Sequence, residues 1–280
     1  MRYGWTILLA ACLFVACGDD DENGDTDTDW SDWEGECTNT PAHNLAAGMS
    51  WQWQLLGTID TSLDVQMYDI DLFDAPQAVI DELHTAGRTV ICYFSAGSWE
   101  DWRDDAGDFP AEAIGKTMEG WPDEKWIDVR SEGLRAVMQT RLDLAVTKNC
   151  DGVEPDNMDG YLNSSGFDFD GYDQLDYNEF ISDEAHSRGL SVGLKNDVDQ
   201  LEVLEPCYDW ALNEECFAYG ECDKYKPFIE AGKAVFHVEY VDDIADGQAL
   251  ADQVCGQASI AGFSTLIKEW DLEPWVIACD

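Results

Sequence analysis

Residues 185–196, AHSRGLSVGLKN, contain the pattern from which the architecture follows: an amphipathic run, a glycine, and a short apolar run that ends in polar residues. The same order recurs in HTAGRTVICYF (84–94), IEAGKAVFHVEY (229–240) and SIAGFSTLIKEW (259–270). Glycine tolerates the left-handed conformation in which many helices end, and the β-branched residues that follow favour strands. Each stretch therefore predicts a helix that ends at a glycine and leads into a strand.

Apolar runs along the chain give eight strand candidates and a weaker ninth at 127–129. The eight are 51–55, 65–69, 89–94, 150–156, 190–195, 210–214, 234–240 and 263–268. Strands that alternate with helices favour a parallel sheet, and eight of them favour a closed (β/α)₈ TIM barrel. A doubly wound open sheet is the alternative, but no Gly-rich phosphate loop follows the first strand. We predict a single α/β barrel domain over residues 41–280.

Two helices are predicted from other local patterns. Asp176–Glu179 has the form of a capping box and predicts the start of the helix that ends at Gly189. Helical spacing of apolar residues predicts a second helix that ends before Cys150, and its apolar residues are Leu134, Val137, Met138 and Leu142.

The N-terminal stretch MRYGWTILLAACLFVAC (1–17) has the features of an export signal, namely Arg2, an apolar run from Ile7 and a small residue before Cys17. The apolar run is too short to span a bilayer. Cys17 resembles the lipidated cysteine of bacterial lipoproteins, so we predict lipid attachment there, with ordinary cleavage and secretion as the alternative. Lipid attachment places the protein in the bacterial cell envelope with the lipid as its one membrane contact, whereas ordinary cleavage places it outside the cell.

Residues 18–40 are predicted to be an acidic, disordered tether. The segment 18–36 contains ten acids and no basic residue, and it has almost nothing to bury. The eight cysteines from Cys37 onward are an even number in an exported chain, which predicts disulfides. Cys216 and Cys222, which flank a Gly-containing loop, are the pair that we predict, and the other pairings stay open.

Polar side chains end the strand candidates, and in a barrel these carboxyl ends share one mouth. They are Asp69, Asp71, Tyr93, Ser95, Asp156, Lys195, Asn196, Glu214, Glu239, Tyr240, Lys268 and Glu269. In CDGVEPDNMDGY (150–161), Glu154 and Asp156 are two residues apart, so both side chains can face the barrel interior. Two close carboxylates do not both ionise readily, so one of them is a candidate to hold a proton.

Two carboxyl groups on different strands, one protonated and one ionised, are what cleavage of a glycosidic bond requires. Besides Asp156, the candidates are Glu214, Glu215 and Glu239. Glu214 ends an apolar strand two strands after Asp156, so we assign Glu214 as general acid and Asp156 as nucleophile or base. Adjacent residues of a strand face opposite sides, which predicts that Glu215 points away from the mouth.

Five stretches of the chain together resemble the endo-α-1,4-polygalactosaminidase family, glycoside hydrolase family 114. They are VQMYDIDLFD (65–74), VICYFSAGSWEDWR (90–103), CDGVEPDNMDGY (150–161), QLDYNEFISDEAHSRGLSVGLKND (174–197) and YDWALNEECFAYGEC (208–222). The resemblance implies a (β/α)₈ barrel that hydrolyses internal α-1,4 bonds in galactosamine-containing polysaccharide of the galactosaminogalactan type. It also implies catalysis by the last Asp of D-G-V-x-P-D-N and the Glu of A-L-N-E, here Asp156 and Glu214, with Glu215 as a second acid beside the expected one.

Substrate-binding side chains are predicted around the same mouth. They are Asp69, Tyr93, Glu154, Lys195, Asn196, Glu239 and Tyr240, with Trp99 and Tyr161 as further aromatic candidates. Aromatic rings stack on sugars or hold ammonium groups, and Lys195 either supports a catalytic carboxylate or forms a structural ion pair. The four histidines, His43, His84, His186 and His237, lack metal-ligand spacing, so we expect no metal and no cofactor.

The charge of the chain restricts its partners. It has 15 basic and 59 acidic residues, a formal net charge of −44, which excludes nucleic acid as a natural ligand. A cationic or neutral galactosamine-containing polysaccharide fits an acidic cleft, since deacetylated galactosamine carries an ammonium group. Solubility or adaptation to salt is the alternative explanation. We expect a monomer, and the other function left open is a catalytically silent polysaccharide-binding protein on the same barrel.

Overall fold

The computed structural model describes residues 45–279 together with Trp30, Asp32, Trp33, Gly35 and Cys37. Within these residues, the main sheet has eight parallel strands that pair in chain order, followed by one short antiparallel strand. Pairing in chain order is what a barrel requires, whereas a doubly wound sheet reverses its order at a switch point. The predicted (β/α)₈ barrel is confirmed.

The elements have the following bounds. The strands are β1 (Trp51–Gln54), β2 (Met67–Asp71), β3 (Thr89–Ser95), β4 (Ser98–Glu100), β5 (Ile114–Met118), β6 (Trp121–Ile127), β7 (Gly152–Asp156), β8 (Ser191–Lys195), β9 (Trp210–Glu214), β10 (Ala234–Val241), β11 (Ser264–Glu269) and β12 (Ile277–Ala278). The α-helices are α1 (Gln77–Thr85), α2 (Glu132–Thr147), α3 (Gly171–Ser187), α4 (Leu201–Leu204), α5 (Cys216–Tyr219), α6 (Lys226–Glu230) and α7 (Gly247–Val254).

All eight predicted barrel strands are present, each with ends within two residues of the predicted ones. The weaker run at 127–129 is not a barrel strand, since Ile127 ends β6. That strand belongs to a separate antiparallel sheet in the order β4-β6-β5, which the sequence did not predict. This small sheet lies between β3 and α2 in the chain, where it forms one wall of the barrel mouth.

Apolar side chains fill two distinct cores. The first lies between the sheet and the helices and includes the predicted apolar face of α2. The second fills the barrel interior with large rings, among them Trp51, Trp53, Trp210 and Phe236. The ring centroids of Trp51 and Phe236 are 4.8 Å apart, and those of Trp210 and Phe236 are 5.5 Å apart. The lower barrel is therefore a packed core, and polar chemistry is confined to its upper end.

The seam between β1 and β11 is joined by side chains. Trp51 Nε1 donates to the backbone oxygen of Ser264 at 3.0 Å, and Lys268 Nζ donates to Gln52 Oε1 at 3.4 Å. Gln52 Nε2 also donates to the backbone oxygen of Pro274 at 2.8 Å, which ties the segment after β11 to β1. These contacts close the curled sheet between its first and eighth parallel strands.

Helix α3 begins earlier than predicted. Its capping box is formed by Asp170 and Asp173: the Asp170 side chain accepts from two backbone N–H groups, and Asp173 accepts from the Asp170 N–H. The predicted box at Asp176–Glu179 is wrong because these residues lie inside the helix, where Asp176 pairs with Arg135. Acids three residues apart occur three times in succession here, at Asp170 and Asp173, Asp173 and Asp176, and Asp176 and Glu179, and the sequence alone did not separate the true cap from the others.

All eight cysteines from Cys37 onward form disulfides, including the predicted Cys216–Cys222 pair. The other pairs are Cys37–Cys207, Cys92–Cys150 and Cys255–Cys279. The Cys37 bond fixes the segment before the barrel to the region before β9. Among the described residues, every helix is too short or too polar to cross a bilayer.

Residues before the barrel also pack against it, although we expected a disordered tether up to residue 40. The Trp30 ring lies against Gly171 at the start of α3, where an added Cβ would come within 2.0 Å of it, and packs edge-on to Tyr161 and Tyr172. Trp30 therefore contacts the barrel, although it falls within the segment predicted as a tether. The predicted signal segment, Cys17 and most of the predicted tether (18–29, 31, 34, 36 and 38–40) lie outside the described residues.

Candidate active site

A cleft of about 690 Å³ opens at the carboxyl ends of the barrel strands. Its acidic lining residues are Asp71, Asp74, Glu100, Glu124, Asp156, Asp159, Asp197, Glu214, Glu215, Glu221 and Asp271, and its basic ones are Arg103 and Lys195. Because Arg103 is fully engaged by Asp71 and Glu100, the cleft presents a strongly negative surface. Such a surface attracts cationic ligands.

Lys195 is the centre of the site. Its Nζ lies 2.9 Å from Glu154 Oε1, 3.1 Å from Asp156 Oδ1 and 3.3 Å from Glu214 Oε2. Burial by itself would lower the pKa of this ammonium, but the charges of the three carboxylates outweigh it and raise the pKa well above its usual value. Lys195 is therefore a fixed cation, and it joins Asp156 and Glu214.

Asp156 is held by donors on both carboxyl oxygens. The Tyr93 hydroxyl donates to Oδ2 at 2.9 Å, and the backbone N–H of Asn157 donates to Oδ1 at 2.8 Å. The chain turns sharply after β7, where Asn157 adopts a φ of 62° and the backbone of Gly97 approaches it closely. A Cβ at position 97 would lie 1.7 Å from the Asn157 backbone oxygen, so only glycine fits there.

Glu214 receives a matching set of donors. The Tyr240 hydroxyl donates to Oε1 at 2.5 Å, and Asn196 Nδ2 donates to Oε2 at 3.0 Å. Asn196 also accepts from the Glu214 backbone N–H at 3.0 Å, which orients its amide group. Of the predicted site residues, Tyr93, Lys195, Asn196 and Tyr240 thus all lie around the two carboxyl groups assigned to catalysis.

Three other predicted binding residues lie too deep to contact a sugar. Asp69, Glu154 and Glu239 are almost completely buried, and none of them lines the cleft. Glu239 Oε1 pairs with His237 Nε2 at 2.9 Å and accepts from the backbone N–H of Phe217 at 2.8 Å. We therefore correct their assignment as substrate-binding residues. Strand alternation gave the correct face of the barrel but not the depth of the side chain below the rim.

Glu215 does not follow the strand pattern on which its orientation was predicted. The strand ends at Glu214, and Glu215 adopts a left-handed backbone with a φ of 62°. As a result Glu215 also lines the cleft instead of pointing away from it. Burial, and then the charges of Glu239 and Glu214, raise its pKa.

Left-handed backbone is concentrated where three strands end. Asn157 follows β7, Asn196 and Asp197 follow β8, and Glu215 follows β9, with φ values between 46° and 62°. Such conformations are costly for residues other than glycine and are common at functional sites. The sequence indicates this left-handed conformation only slightly, through the Asn and Asp residues, which tolerate it better than other residues do.

The small antiparallel sheet contributes one wall of the cleft. Glu100 on β4 and Glu124 on β6 both line the cleft, and the Ser98 hydroxyl donates to Glu124 at 2.7 Å. Burial raises the pKa of Glu124 to about 7, with the Glu100 and Asp156 charges adding to the effect. The sequence analysis missed this wall, because its strands are short, polar and irregularly paired.

Aromatic residues of the cleft differ in part from those predicted. Tyr93 and Tyr240 line it, whereas Trp99 and Tyr161 do not: Trp99 Nε1 donates to the backbone oxygen of Ala106, and the Tyr161 hydroxyl donates to the lining residue Asp197. The further aromatic lining residues are Trp53, Trp102, Trp121, Trp126, Tyr219 and Trp270. The Trp270 ring stacks on Tyr240 with centroids 4.2 Å apart, which forms a flat apolar platform beside Glu214.

One group in the described part of the chain has the spacing of metal ligands: Cys216, Cys222 and His237. The two cysteines are bonded to each other, so their sulfur atoms are not available as thiolate ligands. His237 is already engaged by Glu239 and by Thr265 Oγ1 at 3.1 Å. These side chains are explained by their structural contacts.

Comparison with known proteins identifies the family to which this chain is similar. The model of glycoside-hydrolase family GH114 matches residues 34–280. The crystal structure of Aspergillus fumigatus Ega3 in complex with galactosamine is 42% identical, with a TM-score of 0.84 over 88% of this chain and 100% of that one. A comparison with curated proteins gives no match.

The glycoside hydrolase domain of PelA from Pseudomonas aeruginosa shares the fold. It is 12% identical, with a TM-score of 0.62, over 82% of this chain and 97% of that domain. The family match covers most of this chain, including the strand ends that form the cleft. The chain therefore belongs to glycoside hydrolase family GH114 and is a glycoside hydrolase.

Proposed function

We propose that the protein is an endo-acting hydrolase of α-1,4-linked galactosamine-containing polysaccharide, with Asp156 and Glu214 as its catalytic pair. The observation that carries the proposal is the pairing of these two carboxyl groups across Lys195 in a cleft with eleven acidic and two basic lining residues. The similar Ega3 structure contains galactosamine, which agrees with an amino sugar as ligand. An ammonium-bearing polymer is the substrate that such a cleft binds most favourably.

Asp156 has the environment of a nucleophile or base. Its oxygens accept from the Tyr93 hydroxyl, from the Asn157 backbone N–H and from Lys195, which fix the orientation of the carboxyl group. Glu214 is assigned as general acid, since the Tyr240 hydroxyl beside Oε1 can donate to the carboxylate or accept from the protonated acid. Proton transfer to the departing oxygen then leaves Glu214 ionised between Asn196 and Lys195.

We propose a retaining mechanism with Asp156 as nucleophile. Asp156 Oδ1 and Glu214 Oε2 both contact the Lys195 ammonium, so the two carboxyl groups lie side by side, as the direct attack of one of them on the sugar requires. In the retaining mechanism Asp156 attacks the anomeric carbon directly, and water hydrolyses the glycosyl–enzyme bond in a second step. Proton NMR of the first product formed would test this, because release of the opposite anomer contradicts a nucleophilic Asp156.

The central experiment is a turnover assay on partly deacetylated α-1,4-galactosaminan. The wild-type protein is expected to release reducing ends while polymer length falls early, as in endo cleavage. Asp156→Asn should lower kcat by about a thousandfold, because it removes the attacking carboxylate. Its thermal unfolding should match wild type within a few degrees. Binding of polymer without release of reducing ends by wild type would establish the silent binding protein instead.

Export is part of the proposal. Four disulfides within the described residues are typical of proteins that fold in an oxidising compartment. We place the protein in the cell envelope through a lipid at Cys17, as a monomer that meets its polymer outside the cell. Fatty-acid labelling that is lost in Cys17→Ser would support the anchor, and labelling that persists in this variant would refute it.

A further inference from the structure

Two carboxyl groups that the mechanism does not use are buried directly beneath the catalytic pair. Asp69 on β2 and Glu154 on β7 are both 0% exposed. Among the described residues, no donor reaches either oxygen of Asp69 or the Oε2 atom of Glu154. Buried polar atoms are almost always satisfied, so this set of acceptors needs an explanation.

The two groups are in contact with each other. The side chains of Asp69 and Glu154 are within hydrogen-bond reach, and the other oxygen of Glu154 binds Lys195 Nζ at 2.9 Å. Lys195 is also in contact with Asp156 and Glu214, so this one cation faces several carboxyl groups. If Asp69 and Glu154 were both ionised, two like charges would lie side by side without solvent, which is strongly unfavourable.

We propose that Asp69 is a neutral carboxylic acid whose O–H donates to Oε2 of the ionised Glu154, and that this pair positions Lys195 between Asp156 and Glu214. A single proton turns two facing acceptors into a donor and an acceptor. Both oxygens of Glu154 are then satisfied, one by Asp69 and one by Lys195. Asp69 and Glu154 act through Lys195, so they are positioning residues and do not touch the substrate.

The surroundings of the pair support this protonation. Burial, and then the charge of Glu154, raise the pKa of Asp69 well above its ordinary value. Burial also raises the pKa of Glu154, to about 7, while Lys195 opposes the rise. The ionisable groups that interact with the pair are Asp156 on the same strand as Glu154, Lys195 on β8, Tyr93 on β3 and Tyr240 on β10. The neighbouring strand β1 offers the neutral Trp53, whose ring lies 4.6 Å from Lys195 Nζ.

Two isosteric substitutions distinguish the roles of the pair. Asp69→Asn keeps a donor toward Glu154, so kcat should stay within about threefold of wild type with an unchanged pH profile. Glu154→Gln removes a charge that faces Lys195, so kcat should fall at least about tenfold and the pH optimum should shift about one unit lower. A shift in Asp69→Asn as large as that in Glu154→Gln would show that Asp69 is ionised and would overturn the proposal.

Infrared spectroscopy shows whether Asp69 carries a proton, and it needs no substrate. The positioning role of the pair rests on the proposed function, but the result of this measurement does not. At about pH 8.5, surface carboxyl groups and Glu124 are ionised, and the carboxylic-acid band that remains should include Asp69. Asp197, a second buried carboxyl group whose pKa is raised well above its usual value by burial, is removed as a control with Asp197→Asn. The band should persist in Asp197→Asn and should be lost on the further change Asp69→Asn. A spectrum of Asp197→Asn without the band would refute a neutral Asp69, whether or not Asp69→Asn folds.

Discussion

Lys195 shows how a single residue connects the functional groups of this site. A buried lysine normally loses its charge, but here three carboxylates surround the ammonium and keep it protonated. The energy of burying the cation is thus offset by contacts to Asp156 and Glu214. The position of the cation also keeps the two carboxyl groups close to each other.

Glu214 and Glu215 provide a matched pair of variants at the residue scale. Glu214→Gln is expected to lower kcat by about a hundredfold or more, because glutamine cannot donate the proton to the leaving oxygen. Glu215→Gln is expected to stay within about threefold, because no hydrogen bond links Glu215 to Asp156, Lys195 or Tyr240 among the described residues. Initial rates on deacetylated polymer give the comparison, with Glu215→Gln as the isosteric control.

The opposite result would be informative. If Glu215→Gln lost activity and Glu214→Gln kept it, the catalytic register would be wrong by one residue. The two-carboxylate mechanism would survive that outcome, since Glu215 also lines the cleft.

At the scale of elements, the loop after β9 is held from two sides. Glu239 on β10 accepts from the backbone N–H groups of Phe217 and Ala218 at the start of α5. The Cys216–Cys222 disulfide closes the same loop. Both restraints act directly after Glu214, so the general acid is positioned by its loop as well as by its strand.

Removal of the Cys216–Cys222 bond should therefore reduce both stability and catalysis. The double change to alanine is expected to lower the free energy of unfolding by about 2 kcal/mol, because it removes a disulfide that closes a short loop. It is also expected to lower kcat several-fold. The control is the double alanine variant of Cys255 and Cys279, which join α7 to the end of the chain. That variant should lose stability but keep kcat, as measured by denaturant unfolding and initial rates. Equal kcat losses in both variants would show that the effect is global and not local to Glu214.

Pro155 accounts for the short pairing between β7 and β8. Proline has no N–H to donate, and the two strands are paired only at Gly152 and Val153 of β7. The long Lys195 side chain at the end of β8 joins the strands above this point, because its Nζ contacts Glu154 and Asp156 on β7.

Across the whole molecule, the net charge of −44 and the acidic cleft make long-range attraction of a cationic polymer strong. The value of kcat/KM on deacetylated polymer should fall several-fold between about 0.05 M and about 0.5 M salt, because ions screen this attraction. Fully acetylated polymer, which is neutral, is the control and should show little change. A flat salt profile on the cationic polymer would remove electrostatic steering from the proposed function.

The fold should be more stable at mildly acidic pH than at mildly alkaline pH. Some of the described carboxyl groups have a pKa that departs clearly from its usual value. The pKa of Asp60 is lowered, and the pKa is raised for the others, which are Asp69, Glu100, Glu124, Glu154, Asp159, Asp197, Glu215 and Glu221. A carboxyl group with a raised pKa binds more protons in the folded state than in the unfolded state, so folding is favoured by acid over that interval. For Glu124 and Glu154 the interval runs from 4.5 to about 7.

The expected result is a Tm several degrees higher at about pH 5.5 than at about pH 8, measured by calorimetry at constant ionic strength. Repulsion among the many carboxylates acts in the same direction as pH rises. Glu124→Gln should reduce the difference, since it removes one of the titrating groups. A Tm that rises from pH 5.5 to pH 8 would contradict the raised pKa values as the dominant influence.

The sequence by itself determined the barrel and the two catalytic candidates. Glycines at helix ends and apolar runs are local signals, and Gly87, Gly189, Gly232 and Gly262 all adopt the positive φ that such ends require. The parallel order of the strands then brings their polar ends to one mouth, which is why the sequence alone predicts that Asp156, Glu214, Lys195 and Tyr240 lie together.

Only the tertiary structure decided how deep each side chain lies and which loops surround the mouth. Alternation along a strand specifies a face and not a height, so Asp69, Glu154 and Glu239 were expected at the surface of the cleft but are buried below it. The wall formed by β4, β5 and β6 has no periodic pattern, so it became visible only when the chain was folded. The pairing of one cation with three carboxylates also depends on contacts between distant strands, which local sequence patterns do not encode.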